Sequence, residues 1–225
     1  MKKFNLAAPV FISLLATNVF AGGASPIYLG ATYGKSTVDN APNQMDNHGF
    51  CQGASSQGEE CRIGDGDDNV AHIYGGFQLS DNIAIEAGYV NLGNTAAYHY
   101  TDPVTITQQT EGFTAAGVYR HRLGKTSPVL AYGKAGIIRW SSEANSTQDY
   151  PGTADDSGIS PMLGVGVEYE MTHNISLKAG WDRYYDVGEG DAMLNIDQHN
   201  KGSYGIDTLE TDVDVYSAGI NFSFL

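Results

Sequence analysis

Beyond residue 21 the chain has no apolar run approaching the roughly 20 residues that a membrane-spanning helix needs. A helical membrane protein is thereby excluded, although a barrel is not, because barrel strands are short and alternate in polarity. Basic residues are also scarce: 12 Lys and Arg face 26 Asp and Glu, a net charge of −14 over 225 residues. Polyanion binders need the opposite balance, so nucleic acid is excluded as a partner. Such an acidic surface attracts divalent cations through its field alone, without a dedicated site. Cysteine is confined to Cys51 and Cys61, and only His48 lies near them. The second pair of ligands that a structural zinc requires is therefore missing.

What is present begins with a leader. Lys2 and Lys3 precede an apolar stretch from Leu6 to Ala16, and Val19, Phe20 and Ala21 ahead of Gly22 suit cleavage after Ala21. Pro9, Ser13, Thr17 and Asn18 interrupt the stretch, which makes a retained anchor the weaker reading. The expected division is 1–21 as a cleaved signal and 22–225 as one domain. Export places Cys51 and Cys61 in an oxidising compartment, where a disulfide is the first expectation. Closing so short a segment contributes about 2 to 3 kcal/mol.

The remainder is organised by alternation with a period of two. In the last strand Tyr216, Ala218, Ile220, Phe222 and Phe224 share one face, while Ser217, Gly219, Asn221 and Ser223 share the other. The same split predicts seven earlier strands, over 27–36, 70–79, 83–92, 113–123, 128–141, 162–171 and 175–185, with the eighth over 215–225. Ser80 to Asn82, Gly124 to Ser127 and Thr172 to Asn174 have the composition of tight turns. Residues 39–68, the stretch through Glu111, 142–157 and 187–210 read as longer polar loops. Connections thus alternate long and short, and the expectation is an all-β, eight-stranded antiparallel up-and-down barrel.

A soluble barrel of the lipocalin type shares this strand count and order but points its apolar face inward around a ligand. Here Glu86, Glu168, Lys178 and Asp182 all occupy the non-apolar phase, a lining ill suited to a fatty ligand. Tyr89, Tyr119, Tyr169, Trp181, Phe222 and Phe224 lie mostly on the apolar phase near strand ends, as membrane girdles do. The transmembrane version is the better match. Only the fifth strand gives no clean division of faces, since Tyr132, Gly136 and Ile138 share the phase of Lys134.

Three stretches, Phe77 to Tyr89, Gly164 to Trp181 and Tyr184 to Gly188, resemble the transmembrane domain of the OmpA-like outer-membrane family. The likeness covers the whole mature chain in layout, through degenerate motifs. It implies a bacterial outer-membrane location, contact with lipid and lipopolysaccharide, and a cluster of paired charges plugging the lumen. Glu86, Glu168 and Lys178 match positions of that cluster, and Asp182 shares their phase. Ala116 stands where the family often has a basic residue, leaving Lys134 or Arg120 to substitute. The closing strand also resembles the signal read by the barrel-assembly machinery, through Ser217, Gly219, Phe222 and Phe224, with Leu225 added after it. The family's soluble peptidoglycan-binding domain is not expected, since the chain ends with the eighth strand. A monomer without a cofactor is expected.

Two functional classes follow: a structural or surface-interaction protein whose plugged barrel anchors acidic loops, or a narrow diffusion channel. A lipid A-modifying enzyme is a weaker third. A general base must reach its nucleophile, and the nearest such pair, His173 and Ser176, lies beside a turn on opposite phases. Asp65, Asp67 and Asp68 lack the spacing and closing glutamate of a calcium loop. With Asp186, Glu189, Asp191 and Asp197 they read as solvated loop acids. The cysteine reading is directly testable: alkylation without reductant should label neither Cys51 nor Cys61, and both should label after reduction. Full labelling of both thiols in fresh cells would show that no bridge forms.

Overall fold

The structure, a computed structural model, describes residues 26–39, 62–64, 68–101, 104–146, 154–188, 194–199 and 211–224. Ten strands occur among them: β1 (Ile27–Asp39), β2 (Arg62–Gly64), β3 (Asn69–Gln78), β4 (Ile83–Thr101), β5 (Val104–Arg122), β6 (Val129–Ser146), β7 (Ala154–Glu170), β8 (Ile175–Val187), β9 (Leu194–His199) and β10 (Thr211–Ser223). Eight are staves of one antiparallel barrel, while β2 and β9 are short additions to the far ends of β4 and β7. The ring closes because β1 pairs with both β3 and β10 while β4 pairs with β5. No stave is left with an unpaired edge, which is the condition for burying a sheet in lipid.

Alternation sorts the side chains so that the apolar ones point out. Leu29, Ile73, Ile85, Phe113, Val165 and Ile220 are exposed, whereas Glu86, Arg120, Lys134, Glu168, Lys178 and Asp182 are buried. This is the reverse of a soluble barrel, and the lipocalin arrangement is not adopted. Exposed Tyr119, Tyr169, Phe222 and Phe224 ring the end that carries the short turns, and Tyr33, Phe113 and Tyr216 lie toward the other.

The short turns sit where their composition places them. Leu79 N donates to Ile83 O at 2.8 Å, Leu123 N to Val129 O at 2.9 Å and Met171 N to Ile175 O at 3.0 Å. Gly124 takes φ +105°, a conformation that a Cβ disfavours. Turn asparagines then stitch these ends to neighbouring staves: Asn82 Nδ2 donates to Arg120 O and Asn174 Nδ2 to Ser223 O.

The opposite ends correct the sequence reading. β4 runs to Thr101 and β5 starts at Val104, so the loop expected through Glu111 is a hairpin ladder. β6 continues to Ser146 and β7 starts at Ala154, so most of the expected 142–157 loop is also paired strand. The expected 39–68 and 187–210 loops contain β2 and β9, and β10 begins at Thr211 rather than 215. The physical reason is that the inward face of these extensions carries buried polar side chains such as Thr95, Gln108, Thr110 and Ser142, so the polarity alternation vanishes while the hydrogen-bond ladder persists. Register shifts at Asn91/Gly93, Asn94/Ala96 and His99/Thr101 break the period as well.

A closed ladder resists detergent until heated, so the protein is expected to migrate differently on denaturing gels before and after boiling. Identical mobility under both conditions would contradict closure.

Candidate functional site

Inward positions of all eight staves converge on one buried tier. Glu86 on β4 is its hub: its Oε1 accepts from Tyr28 OH at 2.8 Å and lies 3.2 Å from Lys178 Nζ and 3.3 Å from Arg120 Nη2. Arg120 on β5 also donates to Gln78 Oε1 at 3.2 Å. Its Nε sits 3.4 Å from Glu168 Oε2, close enough to pair by charge but not aligned for a hydrogen bond. Glu168 Oε1 accepts from Ser176 Oγ and from Asn221 Nδ2. Lys134 on β6 pairs with Asp182 on β8 at 2.8 Å. Three carboxylates thus meet three cations, and the tier carries no net charge.

Aromatic faces complete the enclosure. Lys178 Nζ lies 4.6 Å from the centre of the Tyr74 ring and 4.5 Å from that of Tyr132, and the Arg120 guanidinium lies 4.5 Å from the Tyr28 ring. Such contacts strengthen when water is excluded. Tyr74 OH donates to Asn221 Oδ1, and His72 Nε2 lies 3.2 Å from Thr114 Oγ1. Glycines make the room. A Cβ on Gly164 would stand 2.0 Å from Asp182 Oδ1 and 2.7 Å from Lys134 Cε, and one on Gly76 would stand 1.9 Å from Tyr28 Cζ.

Of the residues expected in the cluster, the structure brings Glu86 and Lys178 into direct contact and pairs Lys134 with Asp182. Glu168 does not pair with Lys178, although the two are register partners. It faces Arg120, on the same stave as Ala116. Arg120 was legible as a candidate because it lies on the inward phase of β5, four residues beyond Ala116.

A second tier lies nearer the long connections and is apolar. Val70, Val90, Leu92, Ile138, Trp140 and Met162 pack there with Tyr184 and Val187 of β8 and Val213 and Val215 of β10, none more than 2 % exposed. Trp140 Nε1 donates to Ser160 Oγ at 2.8 Å, and Ser160 Oγ donates to Asp186 O at 2.7 Å. Asp186 adopts φ +48°, held in place where its N donates to Asp212 Oδ1. This tier explains why β6 showed no clean polarity: Ile138 and Trp140 face inward while Ala135 and Ile137 face outward.

Other expected residues fall elsewhere. Cys51, Cys61, Asp65, Asp67, Glu189, Asp191 and the leader 1–21 lie outside the described residues. Asp68 uses its carboxylate on backbone amides, accepting from Asn69 N at 2.7 Å and Asn94 N at 2.9 Å. His173 is exposed in its turn, while Ser176 faces Glu168 in the lumen. On β10, Phe222 and Phe224 meet edge to face at 5.2 Å on the outer surface. Gly219 lies on the β1–β10 seam, where a Cβ would come within 1.9 Å of Ala31 O. Ser217 shares its phase and pairs with Gly34.

Residues 23–225 match the family model described as the OmpA-like transmembrane domain. Outer membrane protein A of Klebsiella aerogenes is 24% identical over 156 residues, covering 68% of this chain and 38% of that protein. The chain therefore spans well under half the length of that relative. Among solved structures, Neisserial surface protein A superposes with a TM-score of 0.56 at 16% identity, over 90% of this chain and 99% of that one. Ail, the attachment invasion locus protein of Yersinia pestis, solved with the heparin analogue sucrose octasulfate, gives a TM-score of 0.50 at 12% identity, over 88% and 97% of the two chains. At these identities the likeness concerns the fold alone.

The network generates a stability prediction. Removing one member of a buried ion pair leaves its partner uncompensated, so Glu86→Ala should cost about 3 to 5 kcal/mol in urea unfolding from detergent micelles. Arg122→Ala breaks the exposed pair with Glu170 at 2.6 Å and an exposed hydrogen bond to Ser127 O, and should cost no more than about 1 kcal/mol. Equal losses in the two variants would show that the lumen tier is a solvated wall.

Proposed function

The chain belongs to the family of OmpA-like transmembrane domains, and from that membership we propose that it serves as a closed barrel holding segments at the cell surface, not as a conduit. It is a protein of the bacterial outer membrane. The observation that carries the proposal is the filling of the lumen, with a charge-neutral tier of Glu86, Arg120, Lys134, Glu168, Lys178 and Asp182 beneath a dry apolar one. Eight strands enclose space only for side chains, and here the chain supplies them. On this reading the barrel is a monomeric anchor, and the acidic segments between its staves meet divalent cations and lipopolysaccharide by charge.

The C-terminal strand supports an assembly role in the same way. Phe222 and Phe224 remain exposed on the outer face, available to the barrel-assembly machinery, while Gly219 permits the seam with β1 to close. An enzymatic reading has no such support, because His173 and Ser176 are not brought together.

In planar bilayers the purified protein should give no channel openings, and on intact cells protease should cut within 40–61 or 200–210 while the remaining barrel keeps its heat-modifiable migration. Regular conductance steps would favour the channel. Cleavage only after the outer membrane is permeabilised would overturn the surface display.

A further inference from the structure

The two lumen tiers differ in how they oppose the passage of water and ions. Along β4, from the short turn outward, Glu86 precedes Val90 and Leu92; along β6, Lys134 precedes Ile138 and Trp140; along β8, Lys178 and Asp182 precede Tyr184. The tiers therefore lie in series. The charged tier consists of groups that water could solvate, and three of its polar atoms, Arg120 Nε, Glu168 Oε2 and Asp182 Oδ1, make no hydrogen bond. Hydration there has partners to satisfy.

The apolar tier offers far fewer: its side chains are aliphatic or aromatic, with the Tyr184 hydroxyl and the Trp140 indole N–H as their polar groups. Every stave but β5 contributes an apolar side chain to it or packs one against it, Val38 being the residue from β1. On β5 a glycine makes room instead: a Cβ on Gly112 would stand 2.8 Å from Ile138 Cγ1, so the Ile138 side chain from the neighbouring stave β6 packs over the Gly112 backbone. The indole N–H of Trp140 is satisfied at the wall by Ser160. Water entering such a space finds few hydrogen-bond partners, and apolar constrictions of this kind exclude ions by dewetting.

We infer that the apolar tier centred on Ile138, Trp140 and Met162 is the permeability barrier of this barrel, and that the ion-pair tier is not its gate. The inference rests on the closed-barrel reading and names the residues that do the closing. Breaking an ion pair hydrates the lower tier and stops there.

The chain holds two tryptophans, so Trp181→Phe leaves Trp140 as the sole indole reporter within the barrier. In that background, Lys178→Ala should leave the Trp140 emission maximum blue-shifted and its quenching by acrylamide within twofold of the parent. In planar bilayers Lys178→Ala should stay silent, while Ile138→Ser combined with Met162→Ser should raise ion flux at least tenfold over background. A red shift with several-fold stronger quenching in Lys178→Ala, channel openings in Lys178→Ala, or a silent double serine variant that still shows heat-modifiable migration would each overturn the inference. If the double variant does not fold, the quenching of Lys178→Ala decides alone. Openings in the unaltered protein would instead refute the closed-barrel reading on which the inference stands.

Discussion

In a bilayer every backbone amide and carbonyl must find its partner within the protein, and with no long apolar helix among the described residues that constraint admits only a closed ladder. The remaining features of this molecule follow from it. Because β4 meets β5, the eight staves have a defined inside and outside, and the period of two then forces one face of each toward lipid and the other toward the lumen. The short turns follow too, since antiparallel neighbours on one side need only a few residues to reverse, with Gly124 and the stitching asparagines accommodating the tightest bends.

Closure at eight strands leaves a narrow interior, and the buried side chains of its two tiers are held by different physics. In the lower one, buried charges offset one another, with Glu86 shared between Lys178 and Arg120 and Asp182 held by Lys134. In the upper one, packing of Ile138, Trp140, Met162 and their neighbours needs no cancellation at all. Glycine is the shared device. Gly164 opens space for an ion pair and Gly112 for an isoleucine, each by removing the one atom that would collide.

The charged tier sums to zero, so the net charge of −14 lies entirely elsewhere in the chain. Part of it decorates the outer rim away from the short turns. There Arg183 bridges Asp212 and Asp214 at 2.9 Å each, and Trp181 Nε1 donates to Asp214 Oδ1 at 2.8 Å. The same region carries the Thr211/Val213 register shift and the left-handed Asp186, which together end the regular ladder between β8 and β10.

The sequence by itself determined the class of fold, the three tight turns, the inward phase of Glu86, Glu168, Lys178 and Asp182, and the outward phase of the aromatic girdles. All of these are local consequences of period-two alternation and turn chemistry. It did not determine how far the strands extend, because the ladder outside the lipid band is held by backbone bonds that any residue can make. It did not determine pairing within the lumen either. Glu168 is the register partner of Lys178 yet faces Arg120, a choice made by side-chain reach across the barrel and not by spacing along the chain. The apolar tier was the least legible of all. Ile138 and Trp140 look like lipid-facing residues until closure of the ring shows which face is inside, since an apolar side chain suits a dry lumen as well as a bilayer.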